Sequence, residues 1–461
     1  MKNQKYLAAN DCFVNWLTKY DEASRQIGIF MKHIVIIGNG ISGITAARHI
    51  RKQTNHRITV ISSEAEHFFS RTALMYIYMG QMKFEHTKPY EDWFWKKNKI
   101  DLLKDHVQKI NTTEKTIQLQ SGNHIRYDSL LIASGSKPNK FGWPGQNLKG
   151  VQGLYSYPDL QLMEENTKGI TQAVIVGGGL IGIEMAEMLI SRKIAVTFLV
   201  RENDFWDNVL PKQEASLISR HIRSHHVNLQ LATELKEIVG DNSGRVQAIV
   251  TNKGEQIPCQ FVGLTVGVSP NIDFLKESGI ETKRGVLVNE FLETNVPDVF
   301  ALGDCVERKH ELPGRRTVEQ VWYTGRMMGE VVAQTIAGQK TKYEPGPWFN
   351  SAKFFDIEYQ TYGIVGNQLK QNESDFYWEH PIGMKCVHMV WDKITNQFLG
   401  INAFGIRMRH ECFDRWLREK KSIDFVMNHL VEANFDPEFF ERHEGEIVRE
   451  FKKVGSRQSV V

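Results

Sequence analysis

Cysteine is sparse and scattered in this chain: Cys12, Cys259, Cys305, Cys386 and Cys412 form no C-x-x-C or other close pair. That argues against a disulfide framework or a cysteine-built metal site, and a reducing compartment, the cytoplasm, is expected. Long apolar runs are missing too. No stretch approaches the roughly 20 residues needed to cross a bilayer, and residues 1–30 lack the apolar segment of a secretory signal. Charge of one sign is also missing, with 57 Lys and Arg against 54 Asp and Glu and a net charge of +3. This balance argues against nucleic acid or another polyanion as the main partner.

What is present is length and glycine. A chain of 461 residues implies about three domains. The run His33-Ile-Val-Ile-Ile37 reads as a buried parallel strand, and Gly38, Gly40 and Gly43 follow it at G-x-G-x-x-G spacing. Each glycine meets a separate steric need, namely a tight turn, close approach of a pyrophosphate, and close packing of helix on strand. The helix that opens there offers free N–H groups to an anion. Taken alone, such a turn also serves without any ligand. A second copy changes the weight: Ala173-Val-Ile-Val176 leads into Gly177, Gly179 and Gly182 in the same order. Two dinucleotide sites imply two cofactors.

The remaining chain organises around these turns. Residues 1–30 read either as an extension with a short helix around Cys12 to Ser24 or as the product of an upstream start codon. Arg57 to Ser62 reads as the second strand, with Glu64 about twenty residues past the first fingerprint, where an acid bonds a ribose or caps the next segment. Lys99 to Leu119 reads as short strands joined by turns, and Tyr127 to Ile132 as a buried strand ending in a glycine turn. Residues 139–153 look like a linker. Asp241, Asn242 and Gly244 mark a hairpin, Asp304 ends an apolar strand, and a helix spans Thr317 to Ala337, its Met and Val residues serving the core. After Tyr343 to Trp348 the composition shifts, and Ser351–Gly363, Ser374–His380, Met384–Asp392 and Gln397–Phe404 read as strands of an antiparallel sheet. Helical stretches follow near His410–Val431 and Pro437–Lys453. The adjacent His225 and His226 read as a turn instead of a metal site.

From Met31 to about Ala337 this motif order resembles the pyridine nucleotide-disulfide oxidoreductases and their relatives among ferredoxin, rubredoxin and nitrite reductases. The motifs are the two fingerprints, Tyr127 to Pro138, Gly263 to Asn271, and Thr294 to Asp304. The resemblance implies an α/β fold: an FAD domain of residues 31–150 and 262–340, an inserted Rossmann-like NAD(P) domain of 151–261, and a C-terminal α+β interface domain of 346–461. It implies FAD on Gly38, Gly40, Ile41, Ser42 and Gly43, with Glu64 at the ribose and Arg71 at a phosphate or in a surface ion pair. Val107, Ala133, Ser134, Gly135, Gly303 and Asp304 would complete that site. The nicotinamide nucleotide would take Gly177, Gly179, Leu180, Ile181, Gly182 and Gly267, with Glu184 nearby. The N-terminal turn of the Thr317 to Ala337 helix would face the flavin.

One departure from the family matters most. Disulfide reductases carry a C-x-x-x-x-C pair after the first fingerprint, and the coenzyme A branch carries one cysteine in a similar loop. Here that region reads Phe69-Ser70-Arg71-Thr72, and no thiol is available for a relay. The resemblance therefore implies an FAD-dependent NAD(P)H reductase that hands electrons to an external acceptor, with no metal and with a homodimer conceivable through the C-terminal domain. An oxidase or quinone reductase, and a slow redox-sensing flavoprotein like the apoptosis-inducing-factor relatives, are the other readings. Arg201, at the end of the strand Val196 to Val200, tilts the nicotinamide toward NADPH, while Glu202 beside it offers a partner for an unphosphorylated ribose.

Overall fold

The computed structural model describes residues 31–458, so the expected helix around Cys12 to Ser24 lies outside the described residues. Every residue of the strand His33–Ile37 is buried, as its unbroken apolar character requires of a strand covered on both faces. It stands at the centre of a parallel sheet in the order Val299–Ala301, Ser129–Ile132, His33–Ile37, Arg57–Ser62, Ile100–Lys104. A small antiparallel sheet of Val107–Asn111, Thr116–Leu119 and His124–Arg126 accompanies it.

The second fingerprint builds the same plan again. Its parallel sheet runs Asn228–Gln230, Ala195–Leu199, Gln172–Val176, Phe261–Leu264, Val151–Gln152. Its own antiparallel ribbon is Leu235–Gly240, Val246–Thr251 and Gln256–Pro258, with the expected turn at Asp241 to Gly244. The first sheet takes its outer strand, Val299–Ala301, from beyond this second unit. The outgoing and returning segments pair where they cross, Ser136–Pro138 against Val268–Pro270. The expected linker is therefore partly ordered: its end, Val151–Gln152, is an edge strand of the second sheet.

The third unit is an antiparallel sheet ordered Phe349–Phe354, Ile357–Gly363, Phe398–Phe404, Cys386–Asp392, Glu373–Glu379. Its first hairpin packs on the helix Leu180–Ser191, and Phe354, Tyr359 and Phe404 share one core with Ile183, Met185 and Phe198 of the second unit.

Four boundaries differ from expectation. Ser351–Gly363 is two strands because the chain reverses at Phe355, which takes φ 55° without any glycine to announce it. The His410–Val431 stretch breaks into His410–Arg418 and Ile423–Asn428, with Lys420 at φ 52° between them. The helix expected from Thr317 starts at Trp322, since the Thr317 carbonyl accepts from the Arg308 N–H and Glu319 is drawn to Arg315 and Arg308. The last helix starts at Glu444, after a turn in which the Asp436 carbonyl accepts from Phe439 and Phe440.

Candidate functional site

The first glycine turn follows from sterics. Gly38 has φ 109°, and a methyl group there would be driven into the Ala133 carbonyl. A methyl at Gly43 would strike the Gly38 carbonyl, so helix Ile41–Gln53 sits hard against its strand. Gly40, in contrast, has open space where its side chain would be. As N-cap it supplies no side-chain partner, and the first helical turn carries no acid, which leaves its N–H groups for an anion.

Around this turn the carboxyl ends of three adjacent strands converge, the place where open α/β sheets meet ligands. Ile37 leads to Gly38, Ile132 to Ala133, Ser134 and Gly135, and Ala301 to Gly303 and Asp304. Gly303 packs on the Ser42 side chain, and so does Gly325 of helix Trp322–Ile336, while Gly329 of the same helix packs on the Ser42 carbonyl and Thr45. The N-terminal turn of that helix thus lies beside Gly303, and it too lacks a side-chain cap. The Ser134 hydroxyl donates to the Asn271 carbonyl at 2.7 Å. Ile41 is half-buried, and Val107 has its side chain in the core, which leaves only its backbone for a ligand.

A polar chain joins Glu64 to Asp304. Arg71 donates to the two carboxylate oxygens of Glu64 at 2.8 and 2.6 Å and to the Tyr155 carbonyl at 2.6 Å. Its guanidinium lies 4.4 Å from the centre of the Tyr155 ring. The Tyr155 hydroxyl donates to Asp304 at 3.2 Å and accepts from the Ser136 N–H at 3.0 Å. Burial raises the Asp304 carboxyl above its ordinary range, against the pull of Tyr155 and Arg71. Arg71 is therefore ion-paired to Glu64 and only partly exposed. Tyr155 was missed by sequence reasoning because it lies just past the linker, and only the folded path of that linker brings it here.

The second turn repeats the first. Gly177 has φ 116°, and a methyl there would lie 2.5 Å from the Thr265 carbonyl oxygen. Gly182 abuts Phe198 and the Gly177 carbonyl, while Gly179 is open and caps helix Leu180–Ser191 with no side-chain bond. Leu180 and Ile181 are half-buried at that helix start, and Gly267, at φ 87°, lies in the returning segment near Asn139. At the end of strand Ala195–Leu199 the two neighbours divide. The Glu202 carboxylate approaches within 3.7 Å of the side-chain position of Gly178, whereas Arg201 is 70% exposed and donates to Glu202 at 2.7 Å. Glu184, half-buried one turn into the helix, has its carboxyl pushed up to about 7 by burial and by Glu187, with Lys353 opposing.

Among the described residues, the loop around Arg71 carries no thiol. Ser70 and Thr72 flank Arg71, their hydroxyls 3.1 Å apart. Cys305 is buried behind Asp304, donates to the Ile132 and Leu302 carbonyls, and has its thiol pushed up to about 11, chiefly by burial. The other described cysteines, Cys259, Cys386 and Cys412, are also buried and unpaired.

A family model described as pyridine nucleotide-disulphide oxidoreductase matches residues 32–329. The chain is similar to a nitrite reductase [NAD(P)H] of Bacillus subtilis, 29% identical over 81% of this chain, of whose length it spans 46%. It is also similar to the ferredoxin–NAD(+) reductase subunit of a benzene 1,2-dioxygenase system of Pseudomonas putida, 28% identical over 67% of this chain and 75% of that protein. In fold it resembles an NAD-dependent persulfide reductase from A. fulgidus, at TM-score 0.78 and 23% identity, covering 86% of this chain and 78% of that one.

Proposed function

The chain belongs to the pyridine nucleotide-disulphide oxidoreductase family, an FAD- and NAD(P)H-dependent oxidoreductase fold, and from that premise we propose that it oxidises NADH and delivers the electrons to a separate acceptor with no thiol between. The observation that carries this reading is the loop at Arg71. Where a relay thiol would stand there is a guanidinium locked to Glu64, and Cys305, behind Asp304, is a buried hydrogen-bond donor.

The residues present fit both cofactors. Gly40 and Gly179 leave open space at uncapped helix N-termini, as two pyrophosphates need. FAD, when bound, supplies a ring that accepts hydride from the nicotinamide and releases electrons onward. This chain's residues supply position and field. Gly38 to Gly43 would bind the pyrophosphate, Glu64 and Asp304 would hold hydroxyls of the ribose and of the ribityl chain, and Arg71 orients Glu64 through two hydrogen bonds. The uncapped first turn of Trp322–Ile336 presents its positive end beside Gly303.

For the nicotinamide nucleotide, Gly177 to Gly182 bind the phosphates and Glu202 takes the ribose hydroxyls. A carboxylate beside Gly178 bonds an unphosphorylated ribose and repels a 2′-phosphate, so the preference that Arg201 suggested turns toward NADH. The domain plan that accompanies this reading is residues 31–150 with 262–340 for FAD, 151–261 for the nucleotide, and 346–461 as a separate sheet and helix layer.

Steady-state NADH oxidation with a ferredoxin, a rubredoxin, a quinone and dioxygen as alternative acceptors tests the reading. Turnover with a one-electron protein carrier at least tenfold above that with dioxygen supports it. Fast reoxidation by dioxygen alone makes the protein an oxidase and overturns it.

A further inference from the structure

Far from both glycine turns, a cluster of three side chains has a geometry that neither site uses. His221 lies in the last turn of helix Lys212–Ser224, and His225 is that helix's C-cap, one turn further on. Opposite them stands Asp356, in the tight reversal between strands Phe349–Phe354 and Ile357–Gly363. Asp356 Oδ1 lies 2.6 Å from His221 Nε2 and 3.1 Å from His225 Nε2, and the three ligand atoms all fall within 4.8 Å of one another. Donors on one tetrahedral metal bound at about 2.0–2.2 Å stand roughly 3.3–3.6 Å apart, so small outward shifts of these side chains would admit one. Without a cation, the one carboxylate oxygen accepts from both imidazoles, and a bound cation would replace those two hydrogen bonds.

The surroundings are built in the same direction. The two histidines are spaced i, i+4 on one helix face, so both rings leave the helix together. The His225 ring stacks on Phe355 at 4.2 Å and 8°, and the His221 and His225 rings meet at 4.7 Å edge to face, which fixes both rotors. Phe355 is the residue at φ 55° that makes the reversal, and the turn puts Asp356 opposite the helix end. His221 is buried, while the Asp356 side chain is 58% exposed, which gives one closed side and one side open to solvent for entry and for water ligands. The helix C-terminus adds the negative end of its dipole, which favours a cation. Arg220, next to His221 in sequence, is paired with Glu379.

We propose that His221, His225 and Asp356 form a binding site for a first-row divalent cation such as Zn²⁺, which ties the nucleotide-binding unit to the first hairpin of the C-terminal sheet. Two imidazoles and one carboxylate with open positions are a donor set for zinc, iron or nickel, and not for calcium or magnesium, which require oxygen ligands. The second histidine group, His380, His443 and Glu446, serves as the internal comparison. There the Lys385 ammonium sits 3.0 Å from His443 Nε2, and its charge opposes a cation.

Chelator-treated, flavin-loaded protein titrated with Zn²⁺ by calorimetry tests the site. The expected result is one equivalent bound, with a zinc-dependent rise in the unfolding temperature, because the ligands come from two units. Asp356→Asn and His225→Gln each weaken that binding by roughly 10–100-fold or more, the scale on which even supporting contacts of a metal ligand act. His226→Gln and His443→Gln leave it unchanged. Absence of zinc binding by the unsubstituted protein overturns the proposal. So does binding that survives both Asp356→Asn and His225→Gln, or binding lost in His443→Gln.

Discussion

The guanidinium of Arg71 holds both oxygens of Glu64, at 2.8 and 2.6 Å, from the loop where thiol-using members of this family carry a cysteine. The pair is half-buried, with side chains 30% and 17% exposed, and two parallel bonds resist the screening that makes most surface pairs negligible. Arg71→Ala leaves Glu64 with only the Tyr157 N–H, and charge-assisted bonds of this kind contribute about 1.5–3 kcal/mol. FAD affinity of the deflavinated protein, read by fluorescence quenching, is expected to fall roughly 10–100-fold. Arg71→Lys should recover only part, since an ammonium cannot make the two-pronged contact. Unchanged FAD affinity with lowered stability would make the pair structural only.

In the proposed reading, nicotinamide choice would rest on Glu202. Glu202→Gln is expected to lower kcat/KM for NADH by about tenfold, the loss of one charged hydrogen bond, while NADPH use holds or improves. Arg201→Ala should change neither nucleotide appreciably, because that side chain points to solvent. Parallel losses for both nucleotides on changing Glu202 would contradict the assignment.

Glu184 gives a pH dependence of defined sign. Its folded carboxyl titrates near 7, above the ordinary 4.5, so the folded state holds a proton that the unfolded state releases between those values. Stability therefore falls as pH rises from about 4.5 to 7, by at most roughly 3 kcal/mol. Glu184→Gln should raise the unfolding midpoint at pH 8 and leave it nearly unchanged at pH 4.5. A substitution that stabilises equally at both values would show that charge is not the cause.

His388 acts in the next window. It is buried between Glu214 and Asp375, at 3.3 and 2.8 Å, and joins helix Lys212–Ser224 of the second unit to the C-terminal sheet. Burial opposes its charge, but the two carboxylates prevail and lift it to about 9, from 6.5. The stability it contributes is fully present below about 6.5 and is lost as pH rises through 9. His388→Gln should cost on the order of 3–5 kcal/mol at pH 6, as loss of a buried partner does, and should flatten the decline in urea midpoint between pH 6.5 and 9.

Periodicity and glycine spacing were enough to read both parallel sheets, their helices, the hairpin at Asp241 and the family, because each glycine answers to a local steric need. The errors fell where long-range contacts decide. Glu319, drawn into its arginine pairs, keeps the chain extended and delays a helix by five residues, from Thr317 to Trp322. Phe355, at φ 55°, turns the chain with no glycine in the loop. Tyr155 enters the first site, and His221 meets Asp356, only because segments 149 and 135 residues apart in sequence are brought together. The different orientations of Arg201, 70% exposed, and Glu202, 19% exposed, were likewise hidden, since adjacent residues on a strand end differ in direction.

The central claim is that electrons leave the flavin with no thiol between. Anaerobic titration of the flavin-loaded protein with NADH measures this directly, since a redox-active disulfide stores a second electron pair. The account predicts complete flavin bleaching at about one NADH per FAD, unchanged after alkylation under native conditions. An uptake of about two NADH per FAD, falling to one after reduction and alkylation, would contradict it.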